Sequence, residues 1–392
     1  MIDKISVQKC TICGACVNAC TSNAIHLTKN YLDFQYPEID FNLCVRCNKC
    51  EKACPVIGEK NNPEKGFPVA YAAKSKDDSV RLRSSSGGIF FELASQVIDN
   101  GGYVCGAIFD EHFHVKHIVS NKHDDLSRMM GSKYAQSNVE YSYREIRNLL
   151  EQGKKVMFSG CPCQVAGLRT YLGRRYENLF LVELICHGIP SDMMLQTYIG
   201  MQEKKYGAKL KKLEFRNKAK GWHNSAVRME FENKRIYCEP MVYDTFMQGY
   251  FKGISLKESC YSCMFRNFKS ESDITIGDFW GAEIELPSID DNKGISAILV
   301  NSREGMDILD RCNLALTPAN VETIIKYNRN LLCSAAPNPQ RSSFYASADI
   351  NGFEKAIQRY LEESTIQKLK RQSRYALRCI WYAIRGKEKP LY

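Results

Sequence analysis

The sequence predicts an α+β protein with a mixed α/β core. Three observations carry this. Two cysteine runs of identical spacing occupy residues 10–54. Strand-like apolar segments alternate with helical ones from Val69 to Val300. From Glu354 onward, apolar residues recur at helical spacing among basic ones. The expected domains are residues 1–60, 69–150, 151–310 and 311–392, the last a basic helical extension.

The runs are Cys10-x2-Cys13-x2-Cys16-x3-Cys20 and Cys44-x2-Cys47-x2-Cys50-x3-Cys54, with Pro55 after the second. This is the spacing of bacterial two-cluster ferredoxins, where each run gives three thiolates to one 4Fe–4S cluster and its fourth to the other. Cluster one is therefore expected on Cys10, Cys13, Cys16 and Cys54, and cluster two on Cys44, Cys47, Cys50 and Cys20. Two-residue gaps let a tight loop wrap three corners of a cube, and Gly14 accepts the positive φ of such a turn. Zinc favours paired CxxC units without a third cysteine two residues on. Disulfides need an oxidising compartment and give no reason for the repeat. One departure is Thr21, which follows Cys20 where the pattern has proline. Ile25–Leu27 and Tyr36–Asp40 read as short strands, and Gly58–Pro68 as a linker.

The chain has 392 residues, 44% hydrophobic, which suffices for a sizeable core. Met1–Lys4 shows no signal-peptide pattern, and no uncharged apolar stretch approaches the ~18 residues of a membrane helix. With 18 cysteines and no export signal, a reducing, cytoplasmic setting is expected. The net charge is +10, and residues 350–392 hold ten Lys+Arg against four Asp+Glu. Such a tail can attract nucleic acid, anionic lipid or an acidic protein. A solvated helix face is the favoured reading. No recognition motif for nucleic acid is present, so nucleic-acid binding is not expected.

Further along, Val69–Ala73 begins a new unit with a strand. Ser84-Ser85-Ser86-Gly87-Gly88 precedes Ile89–Asp99, apolar at a helical period. A Ser/Gly loop opening a helix offers free N–H groups to an anion such as a pyrophosphate, although such N-caps are common. Gly102–Phe109 and Phe113–Val119 read as strands. Gly131–Ser137 is a small polar loop carrying Lys133 and Tyr134, and a helix is expected from Tyr143 to Gln152. The strand Lys155–Ser159 runs into Gly160-Cys161-Pro162-Cys163-Gln164 and a helix through Leu172. The strand Leu179–Ile185 runs into Cys186-His187-Gly188. Strand ends of this kind are where α/β proteins bind ligands. Residues 205–260 are basic and β-rich, with a hairpin at Ala226–Phe231 and Arg235–Glu239. Cys260-x2-Cys263, a strand over Ser272–Phe279 and another over Gly294–Val300 follow. Cys163, Cys186, Cys260 and Cys263 form a second candidate metal set, suited to a third 4Fe–4S cluster or a zinc, with Cys161 able to replace Cys163. The plainer reading is buried free cysteine. Cys105, Cys238, Cys312, Cys333 and Cys379 are read as packing.

The segments SSSGG (84–88), GSKYAQS (131–137), GCPCQVAGLR (160–169), LICHGIPS (184–191) and CYSCMFRNFKSESDITIGDFWG (260–281) together resemble the coenzyme F420 hydrogenase/dehydrogenase beta-subunit family. The cysteine runs match members with an N-terminal ferredoxin domain. The resemblance covers residues 1 to about 310. It implies an α/β flavin and iron–sulfur core between the ferredoxin-like domain and the helical C-terminus. It implies FAD near Ser86, Gly87, Gly88, Lys133 and Tyr134, and a core cluster on Cys163, Cys186, Cys260 and Cys263. The family pattern has a GTPCQ-like stretch, and here Cys161 replaces the threonine. The implied activity is an oxidoreductase passing electrons between clusters and a two-electron acceptor through FAD, which takes one electron and gives two. Lys133 could stabilise a reduced flavin by its charge, with a surface lysine an equal reading, and His187 could relay a proton, with a structural hydrogen bond the favoured reading. Asp278 and Trp280 read as structural. The implied partners are a redox protein (a ferredoxin or a hydrogenase/dehydrogenase subunit) and a small-molecule acceptor, coenzyme F420 by the family name. The second reading is an electron-transfer subunit with no substrate of its own.

Overall fold

The structure is a computed structural model describing residues 2–30, 32–57, 68–269 and 271–364, with 366, 367, 369, 370 and 373. The expected linker up to residue 67, Cys379, and Leu377, Ile380, Trp381 and Ile384 of the basic extension lie outside the described residues. The chain divides into two compact units, Met1–Asp192 with Leu256–Ala336 and Met193–Ser255 with Pro337–Tyr392.

In the first unit, β1 (Ile25–Lys29) and β2 (Gln35–Ile39) pair antiparallel, with Ile25 opposite Ile39. The other strands are β3 (Val69–Ser75), β4 (Tyr103–Phe109), β5 (Val115–Ser120), β6 (Val156–Gly160) and β7 (Leu179–Leu184). In the second unit lie β8 (Leu210–Asn217), β9 (Ala226–Phe231) and β10 (Ile236–Pro240), and the first unit resumes with β11 (Ile274–Asp278), β12 (Ser296–Val300) and β13 (Leu314–Ala319). Eight of them form one mixed sheet in the order β13-β3-β12-β11-β7-β6-β4-β5.

Strands β4, β6, β7 and β11 run parallel. Strand β12 is antiparallel to both β11 and β3. Strand β3 therefore points the same way as the parallel four, and the C-terminal ends of five strands share one edge. All five residues of β6 and of β12 are buried, as continuous apolar runs in a sheet covered on both faces should be. The helix Ile89–Asp99 has the predicted bounds and packs Leu93, Ala94 and Val97 into the sheet core.

The sequence reading divides this body at 150/151, and in the structure β4 pairs with β6 across that point. It also makes 311–392 wholly helical, whereas Leu314–Ala319 adds a strand beside β3. Pro318 cannot donate to a ladder, which explains why this strand lies at the sheet's edge.

The N-terminal module is fastened to the sheet body by its backbone. Arg144 Nε donates to Asn18 O at 2.8 Å and its Nη2 to Val17 O at 3.1 Å. Asn18 Nδ2 donates to Glu140 O at 2.8 Å, and Thr170 Oγ1 to Ala53 O at 2.7 Å. Gly14 has φ +81°, and a Cβ there would lie 2.1 Å from Val139 Cγ2, so both backbone and space demand glycine.

In the second unit, β10-β9-β8 form an antiparallel sheet. Asp244 is fully buried and caps the helix Thr245–Phe251 through Met247 N–H, while the Tyr198 and Tyr237 hydroxyls donate to its other oxygen. No helix among the described residues is long and apolar enough to cross a membrane.

Candidate metal centre

Cys10, Cys13, Cys16 and Cys54 line one cavity, and all four are buried. This is the crossed set expected for cluster one. Burial pushes the Cys13 thiol up to about 12, and negative charge on Cys54 or Cys10 pushes it the same way. In the other set, Cys20 and Cys50 are buried, Cys44 is half-buried and Cys47 is exposed. Burial acts against ionisation of Cys20, but the Ser22 hydroxyl and Ala24 N–H hold its thiol below the ordinary value. Beside Cys44, Phe41, Leu43 and Val45 are 57%, 53% and 69% exposed. The two expected cluster sites thus differ in solvent access.

The second cysteine set is assembled from strand ends. Cys161 follows β6, Cys163 lies in the first turn of the helix Pro162–Leu172, and Cys186 follows β7. Cys260 closes the 3-10 turn Glu258–Cys260, with Cys263 three residues on. All five line one recess that opens to solvent. The chain returning at Leu256 is placed by a bridge to Pro190 and by Lys257 N–H donating to Ile189 O at 2.8 Å. Cys161 and Cys186 sit against each other so that one proton serves both, which holds the Cys161 thiol up and the Cys186 thiol down.

The donor set fits an iron–sulfur cluster. Burial raises Cys163 and Cys260, and each is raised further by charge on Cys186 and Cys263. Such thiols ionise together only when a cation compensates them, and soft thiolates suit iron–sulfur clusters or zinc. Two buried cations stand nearby. Burial raises the Cys263 thiol and the Arg266 guanidinium beside it works against that rise, while Arg266 Nη2 donates to His187 O at 3.0 Å. Lys257 lies within electrostatic reach of Cys260 and Cys163. Neither is singled out by sequence; both lie in ordinary basic surroundings there.

One helix joins the two centres. Cys163 and Gly167 are four residues apart on Pro162–Leu172, so they share a face about 6 Å apart. A Cβ on Gly167 would lie 2.8 Å from Cys13 Sγ. Tyr143, fully buried, has its hydroxyl 2.8 Å from both Cys13 O and Gln164 O.

The two expected flavin loops also meet. Ser132 N–H donates to Ser85 Oγ at 2.8 Å, and the two hydroxyls are 3.0 Å apart. Within the first loop, however, Ser86 Oγ donates to Ile295 O at 2.8 Å and Gly87 N–H to Ser296 Oγ at 2.9 Å. A Cβ on Gly87 would lie 2.4 Å from Ala73 O, so this glycine is needed for packing on the sheet. Gly88 takes φ +92° at the start of Ile89–Asp99, and no side chain caps that helix end. Lys133 is buried, and its Nζ donates to the carbonyls of Arg128, Met129, Met130 and Gly131 at 2.8–3.0 Å. An ammonium has three N–H donors, so this one is committed to the end of the helix His123–Met129. Tyr134 has φ +44°. His187 Nδ1 is 3.3 Å from Asn330 Oδ1. Cys105 is fully buried and Cys312 Sγ contacts Ile308 O, both as packing groups.

Residues 9–57 match the model of the 4Fe-4S dicluster domain, and residues 153–322 match that for the C terminus of the coenzyme F420 hydrogenase/dehydrogenase beta subunit. The chain is 25% identical over 377 residues to the coenzyme F420-dependent sulfite reductase of Methanocaldococcus jannaschii, covering 88% of this chain and 54% of that one. It thus spans about half the length of that relative. Over 60 residues it is 37% identical to an uncharacterized protein of Porphyra purpurea, covering 15% of this chain and 80% of that one. A chain of the F420-reducing NiFe hydrogenase complex from Methanosarcina barkeri superposes with TM-score 0.45 at 17% identity, over 85% of this chain and 99% of that one.

Proposed function

Because residues 153–322 belong to the family of coenzyme F420 hydrogenase/dehydrogenase beta subunits, behind a 4Fe-4S dicluster domain, we propose that the chain is an iron–sulfur flavoprotein oxidoreductase. The observation that carries this is the helix Pro162–Leu172, which has a core cysteine in its first turn and the Cys13 loop against Gly167. Cys10, Cys13, Cys16 and Cys54, then Cys44, Cys47, Cys50 and Cys20, and finally Cys163, Cys186, Cys260 and Cys263 hold three clusters. When bound, the clusters supply single electrons, and FAD, which accepts one and delivers two, supplies the exchange with a hydride acceptor.

The Cys44–Cys47 loop, with its exposed apolar neighbours, faces a donor protein. The Ser84–Gly88 and Gly131–Ser137 loops hold FAD through Gly88 and Tyr134, the Ser86 hydroxyl and Gly87 N–H being spent on Ile295 and Ser296. His187, next to Cys186, handles a proton. Lys133 is left out of the flavin contacts because its donors are spent on carbonyls. The acceptor we favour is coenzyme F420, on which the related sulfite reductase depends by name. A second reading, an electron-transfer subunit serving a catalytic partner, is favoured by that relative's double length.

Anaerobic purification with iron, sulfide and flavin counts tests the proposal. About twelve irons and one FAD per chain are expected from three cubane clusters. Eight irons and no flavin would reduce the chain to a two-cluster carrier on an unrelated body. Turnover of F420 only in the presence of a partner protein would select the second reading.

A further inference from the structure

Lys257 is a cation of the first unit with no exposure at all: its side chain is 0% accessible. Its Nζ has no hydrogen-bond partner among the described residues. It lies 3.7 Å from the ring centroid of Tyr36 and 5.4 Å from that of Phe34, both buried on the N-terminal module. Its own backbone belongs to the other half of the joint, where its N–H donates to Ile189 O and its C=O accepts from Cys260 N–H. The thiols within its electrostatic reach are Cys10 from the first N-terminal site and Cys260 and Cys163 from the core site.

Burying an ammonium without hydrogen bonds is costly, and a fold tolerates it where negative charge compensates. Aromatic faces attract the charge without neutralising it. Negative charge within reach comes from Cys10, Cys260 and Cys163 and from the neighbouring Glu258, and a cube held by four thiolates carries net negative charge. A packing role alone would be served better by methionine or leucine, which need no compensation.

We infer that Lys257 is the shared positive charge of the two adjoining metal sites, raising the reduction potential of the groups held by Cys10, Cys13, Cys16 and Cys54 and by Cys163, Cys186, Cys260 and Cys263. This rests on the three-cluster reading above. The step it biases moves one electron from a one-electron iron–sulfur donor protein onto either group. No bond forms or breaks, and the buried ammonium holds the added electron by its charge. Lys257 is a positioning residue in this step, since its side chain lies against rings, its backbone meets Cys260, and it touches no substrate.

The test is a redox titration followed by electron paramagnetic resonance on the full chain, purified anaerobically, with dithionite as reductant. Lys257→Met removes the charge at similar volume, and Lys257→Arg restores it. We expect twelve irons in all three proteins. In Lys257→Met, the reduced-to-oxidised ratio of the two adjoining clusters at a set potential should fall at least tenfold, a 59 mV shift for one electron. Lys257→Arg should recover most of it, and the remote cluster should move least. Unchanged potentials in an iron-replete Lys257→Met would overturn the inference. Equal loss of iron from both variants would also overturn it, in favour of packing; loss in Lys257→Met alone supports it. Eight irons in the parent chain instead count against the three-cluster reading, so the two failures are distinguishable.

Discussion

Cys10, Cys13, Cys16 and Cys54 come from one stretch of 45 residues, with three of them within seven residues. Cys163, Cys186, Cys260 and Cys263 come from three separate connections at the sheet's edge, spread over about a hundred residues. The first set is shaped by chain spacing and needs only a short hairpin beside it. The second exists only once β6, β7 and the Leu256 return are in place. A metal site written locally can assemble as the chain collapses, whereas one written in topology waits for the sheet.

That contrast can be broken first by single cysteines. Cys260→Ser, which has no substitute cysteine beside it, should lose about four of twelve irons while both N-terminal clusters keep their resonance signals. Loss of all the iron would show that the sites are not independent.

Acid offers the next largest effect. His117 is buried on β5, its Nε2 3.1 Å from Ser159 O at the end of β6, and burial brings its pKa down to about 4. The unfolded chain binds this proton near pH 6.5. The contribution is therefore fully present above pH 6.5 and falls progressively towards pH 4, by about 3 kcal/mol in all. Denaturant titrations between pH 7 and 4 should show this slope, and His117→Gln should flatten it. Core iron should be released before N-terminal iron, because Cys161 and Cys163 follow β6 directly.

The smallest effect is at the contact between the sites. Gly167→Val would press on Cys13 Sγ and cost roughly 1–3 kcal/mol as an overpacked core does. Chemical denaturation measures the loss. Stopped-flow reduction should show slower arrival of electrons at the core site, with iron content intact. A variant as stable and as fast as the parent would mean the two sites are not coupled through this helix.

Legibility in the sequence follows the same division. The grouping of Cys10, Cys13, Cys16 and Cys54 around one cavity follows from their spacing, and the bounds of Ile89–Asp99 from its apolar period. Strand ends mark the core cysteines, but only the strand order shows that β6, β7 and β11 adjoin. Lys133 reads as a flavin contact because the sequence does not reveal the helix end His123–Met129, whose carbonyls it binds. Lys257 is invisible there, since a lysine in a basic stretch is read as solvated. The helix Asp192–Tyr206 escapes notice because its apolar and polar residues do not segregate along the sequence.

The bridge between Pro190 and Leu256 works as a clasp at the neck of a 63-residue excursion, Met193–Ser255, that separates two ligands of one site. With the neck fixed, the cost of a longer or shorter excursion grows only logarithmically with its length. A change in what folds between Met193 and Ser255 would therefore leave Cys186 and Cys260 in register on either side of the neck.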